Sequence, residues 1–194
     1  NLWGTFLSGT VTTPGRYIFR DKAPFPIMTY AEIQFIKAEA AFIKGDKALA
    51  LAAYKKGIEA SIDFVNLNTV VSTTYPITTT ITATEKANFL ANVNVVPTEA
   101  NLTMSHIILQ KYISLFGFGD LEAWTDMRKY HYDNVNIYKT MAFPTSLFAD
   151  NGGKLPYRVR PRFNSEYVWN FASLQAIGAD KVDYHTVEMW YSKP

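Results

Sequence analysis

Tyr30–Val65 reads YAEIQFIKAEAAFIKGDKALALAAYKKGIEASIDFV, and its reading decides the fold. Two runs of helical period meet at Gly45-Asp46. In the first, Ile33, Ile36, Ala40 and Ile43 recur at helical spacing; in the second, Leu51, Tyr54, Ile58, Ile62 and Val65 do so. Alanines at 38, 40, 41, 48, 50, 52 and 53 favour helix and let two helices approach closely. Ala50, Tyr54 and Gly57 give the small–aromatic–small order of a tetratricopeptide-type hairpin, with Ala50 at the helix contact. Such hairpins are binding scaffolds, and one alone cannot bury its own face.

Outward from this hairpin, Gly4, Gly9, Pro14, Gly15, Pro24 and Pro26 make residues 1–28 irregular. Thr29 followed by Glu32 predicts a capped helix start. The Thr-rich run at 66–82 argues for a loop or an edge strand, after which Thr84 caps a short helix over 85–91. Residues 97–132 read as a helical pair. Pro97 opens its first member, whose stripe is Leu102, His106, Leu109, Ile113 and Phe116, widened by Met104, Ile108, Tyr112 and Leu115. Gly117 and Gly119 separate it from a second, which starts at Asp120 and carries Leu121, Trp124 and Met127 or Arg128 on one face. Residues 133–194 form a loop-rich tail with a short helix over 165–176 and an extended end at 182–191. The fold class is mainly α.

Three blocks carry a family resemblance. Tyr30-Ala31-Glu32, Ala38-Glu39-Ala40 and Gly45-Asp46 form the first. Gln110-Lys111-Tyr112-Ile113, Leu115-Phe116-Gly117, Glu122-Ala123-Trp124 and Arg128 form the second. The third is Arg158, Arg160, Pro161 and Arg162, then Glu166 and Asn170, with Arg162-Phe163 where Tyr-Pro is usual. With an aromatic ending at Glu188-Met189-Trp190-Tyr191, the chain resembles the C-terminal portion of the SusD/RagB family, glycan-binding lipoproteins of Bacteroidetes outer membranes. The resemblance implies one SusD-like C-terminal region over 1–194, working without catalysis. It implies capture of a nutrient, an oligosaccharide foremost, and delivery to a SusC-like TonB-dependent transporter. The lipid anchor is expected upstream of this stretch, so membrane association would come only through an anchor this chain lacks. In that family, glycan contacts come partly from loops before the first of these helices, which here hold Trp3 and Tyr17, the expected ligand-binding residues.

Composition narrows the alternatives. A net charge of +2 without charge runs gives no basis for nucleic-acid binding. No cysteine is present, so disulfides, thiol catalysis and cysteine metal sites are excluded. His106, His131 and His185 stand at no metal-ligand spacing, and no cofactor motif occurs. Asp120, Glu122 and Asp126 could be read as glycosidase carboxylates, but acids in a first helical turn are what the helix dipole favours. Trp124 and Arg128, at i and i+4, read as a packing pair, and Arg158, Arg160 and Arg162 as partners of Glu166 and helix C-termini. The alternative to glycan capture is a tetratricopeptide-type module for protein or peptide.

Overall fold

The computed structural model describes residues 18, 23–69, 80–145 and 147–193. Trp3 and Tyr17 lie outside them. The chain divides into two compact units, Asn1–Ala123 and Trp124–Pro194. The helices are α1 (Tyr30–Ile43), α2 (Lys47–Asn68), α3 (Ala83–Ala91), α4 (Met104–Ser114), α5 (Asp120–Lys129), α6 (Phe163–Trp169) and α7 (Phe171–Ala176). Among the described residues there is no strand, and the fold is mainly helical.

The hairpin forms where the sequence puts it, and its chemistry explains both ends. Thr29 Oγ1 accepts from the Glu32 N–H at 3.2 Å and starts α1. Gly45, at φ +86°, takes the left-handed turn that ends it, with the Asp46 N–H reaching back to Ala41 O at 2.9 Å. Asp46 then caps α2 by accepting from Leu49 N at 3.0 Å.

The buried face of α1 is not the isoleucine stripe. Ile33, Ile36 and Ile43 are exposed, whereas Ala31, Phe35, Ala38 and Ala41 are buried. Small side chains decided this. The alanine face admits the closer approach to α2, and the Phe35 ring lies over Gly57. A Cβ at Gly57 would stand 2.8–3.0 Å from three atoms of that ring. Phe35 also meets Tyr54 edge-on, with ring centroids 6.1 Å apart. Ala50, Ala53 and Ile58 complete this core with Leu102 and Ile107. The Tyr54 hydroxyl donates to Val95 O at 2.6 Å, tying the turn after α3 to the hairpin. Burial pushes that phenol's pKa upward.

Further corrections follow along unit 1. The cap of α3 is Thr82 rather than Thr84, because Glu85 completes a reciprocal capping box with Thr82. α4 starts at Met104, well after Pro97, because Thr103 is extended at φ −124° and ψ 161° and caps the helix itself. His106 is the other half of that box, its Nδ1 2.7 Å from Thr103 Oγ1; it is a capping histidine rather than a core one. The inward face of α4 is Ser105, Ile107, Ile108, Lys111 and Ser114, while Ile113 and Phe116 of the expected stripe are exposed. A lysine stands inside because Glu39 of α1 faces it. The Lys111 Nζ to Glu39 Oε2 distance is 3.9 Å, and both side chains are 7% exposed.

On α5, Leu121 is exposed and Ala123 and Asp126 are buried. In unit 2, the single helix expected over 165–176 is two, α6 and α7, interrupted at Asn170 (φ −133°, ψ 32°). The end of the chain is not extended. It turns through a short 3₁₀ segment at Tyr184–Thr186. Arginine side chains hold it there, as described next.

Candidate functional site

A wide concavity of unit 1 opens in front of α1. Pro24 and Pro26 lack N–H donors and keep the preceding segment out of the helix. That segment, Phe25-Pro26-Ile27-Met28, forms one wall. Residues of the last turns of α2 form the other: Lys56, Ala60, Asp63, Phe64 and Leu67. The groove has a volume of about 670 Å³, within the usual range of ligand clefts. Phe25, Ile27, Met28, Tyr30 and Leu67 are all exposed there, Ile27 by 90%. Its charged rim is internally paired: Lys56 with Glu59 at 3.1 Å, Asp63 with Lys86 at 2.6 Å. The arrangement offers aromatic faces, Phe25 and Tyr30, beside groups that donate and accept hydrogen bonds. Sequence reasoning placed the ligand contacts farther upstream and missed this groove. The signal was an apolar run that prolines bar from helix.

Several polar and aromatic residues of unit 2 hold its loops. The Arg128 guanidinium lies 3.7 Å from the Trp124 ring centroid, as their spacing predicts. Its Nη1 donates to Tyr157 O at 3.0 Å and its Nη2 to Thr125 Oγ1 at 2.8 Å. Trp124 Nε1 donates to Tyr132 Oη at 2.8 Å, and that hydroxyl donates onward to Pro156 O. Burial raises the Tyr132 pKa. Arg158 donates to Val187 O at 2.9 Å and to Glu188 O at 3.2 Å; Arg160 donates to Lys181 O at 3.0 Å. These two arginines bind tail carbonyls instead of Glu166, which accepts from Asn170 Nδ2 at 2.9 Å. Each guanidinium carries several N–H donors, enough to hold more than one carbonyl of the turning chain.

The acidic and histidine side chains singled out in the sequence stand as follows. Asp120 and Glu122 are exposed in the first turn of α5, and Asp126 is buried one turn on. His131 stands 3.4 Å from Glu188, and His185 contacts Asn151. Among the described residues no group of three His, Cys, Asp or Glu side chains could hold a metal ion. Among them, too, no helix is long and apolar enough to cross a membrane.

A model of the SusD-like family, described as starch-binding associating with outer membrane, matches residues 7–160. The chain belongs to the SusD-like family. Nothing matches it among curated proteins or solved structures. The match takes in the groove, the Glu39–Lys111 pair and the Trp124–Arg128 pair. Members of the SusD-like family are non-catalytic binding proteins, and the family's description joins starch binding to the outer membrane. The residues that give this chain its family likeness, Glu39, Lys111, Trp124 and Arg128, are fold ties.

Proposed function

We propose that this SusD-like chain captures an α-glucan oligosaccharide without cleaving it and passes it to a SusC-like TonB-dependent transporter. It would do so at the cell surface, held by a lipid anchor outside residues 1–194. The family match carries the glucan and the outer membrane. The groove in front of α1 supplies a surface with suitable chemistry. Sugar rings present apolar C–H faces and a hydroxyl perimeter, so they suit Phe25 and Tyr30 flanked by Lys56 and Asp63. Trp3 and Tyr17 are proposed as further contacts from the same side of the sequence.

Tyr30→Ala and Phe25→Ala should each weaken maltoheptaose binding by about tenfold in calorimetry, the equivalent of ~1.4 kcal/mol. Both side chains are exposed, so the melting temperature should hold. Unchanged affinity in both variants would remove the groove from the reading. A second reading, a helical module for protein, is favoured by the exposed Ile33, Ile36 and Ile43 on α1. Ile36→Lys would abolish such an association while leaving sugar binding intact.

A further inference from the structure

α6 buries no residue, yet it ends in a tryptophan that is 85% exposed. Its attachment to the rest of unit 2 runs through a different side chain. Tyr167 donates to Ala179 O, accepts from Arg160 Nη1 at 3.2 Å, and stacks on Phe163 with centroids 5.0 Å apart. Trp169, two residues from Tyr167, projects from another side of the helix. Among the described residues no aromatic ring packs on its indole. Ring packing among the described residues thus gives no account of this side chain.

Its neighbours do. Ser165 and Glu166 precede Trp169 by four and three residues, which sets them on its side of the helix. The Glu166 carboxylate is oriented by Asn170 Nδ2 at 2.9 Å. A hydroxyl, a carboxylate and a carboxamide therefore border an open indole that has its own N–H donor at the edge. We infer that Trp169, with Ser165, Glu166 and Asn170, is a second saccharide-binding site on this chain, taking a neutral pyranose ring by stacking. This rests on the glucan-capture reading and adds a site to it in the other unit.

Indole N–H resonances read the site directly. The chain has four tryptophans, and Trp169→Ala identifies which signal belongs to Trp169. Titrating the full chain with maltoheptaose should move that signal saturably. It should move equally in Tyr30→Ala, where the groove is impaired. Glu166→Ala should weaken the Trp169 titration by about tenfold, the expected loss of a hydrogen bond to a charged group. Phe163→Ala, an exposed aromatic on the other side of α6, should leave it unchanged. A Trp169 signal that stays still while calorimetry records maltoheptaose binding would overturn this site and leave the function standing. A signal that moves with protein concentration alone would also overturn it, because a second copy would then cover the indole. If no indole signal moves and no heat is recorded, both this site and the glucan reading fall.

Discussion

Lys111→Ala should lower stability by about 3–5 kcal/mol, the usual cost of breaking a buried ion pair from one side. The Glu39 carboxylate would lose its cation while remaining between α1 and α4, where it is only 7% exposed. Glu39→Leu combined with Lys111→Met should bring stability back to within about 1–2 kcal/mol of the parent, since a buried pair gains little net energy over a well-packed apolar one. Urea unfolding midpoints of the single and double variants check both statements. A loss below about 1 kcal/mol in Lys111→Ala would class the pair with exposed ones. The pair also explains why the two strongest stretches of family likeness accompany each other. Ala38-Glu39-Ala40 and Gln110-Lys111-Tyr112 are the two halves of one contact.

Phe35→Ala should cost about 3–5 kcal/mol, the range for removing a fully buried aromatic ring. Phe35 is 0% exposed and fills the space that Gly57 leaves open. The two positions should be strongly coupled. Gly57→Ala alone would push a Cβ against the ring and cost about 1–3 kcal/mol. In a Phe35→Ala background the same change should become stabilising by up to about 1 kcal/mol, because alanine's helix preference then acts unopposed. Thermal melts of the four combinations give the coupling. Additive effects would mean the ring and the glycine do not meet.

These two contacts also mark what could be read from the sequence. The hairpin was legible because its stop and start signals are local: Thr29, Gly45 and Asp46 act within a few residues of themselves. Its inward face was not. Apolar periodicity favours isoleucine over alanine, while close helix packing favours the reverse, and packing prevailed. The inward face of α4 was hidden for a related reason. Lys111 looks like a surface residue until Glu39, far away in sequence, is placed opposite it. Thr103 also held a stronger capping position than Pro97, which no periodicity count weighs. In unit 2, the Trp124–Arg128 contact followed from i,i+4 spacing alone. The tail did not, because its course depends on arginines at 158 and 160 reaching carbonyls more than twenty residues on. One wall of the groove had a local signal, the apolar run between Pro24 and α1; the other wall, the C-terminal half of α2, had none, because facing segments are set by the fold.

One measurement bears most directly on the central claim: calorimetric titration of the full chain with maltoheptaose, followed by a reducing-end assay on the recovered sugar. Capture without cleavage predicts saturable binding and a sugar returned intact. Absence of binding, or release of new reducing ends that Glu122→Gln or Asp126→Asn abolishes, would contradict it.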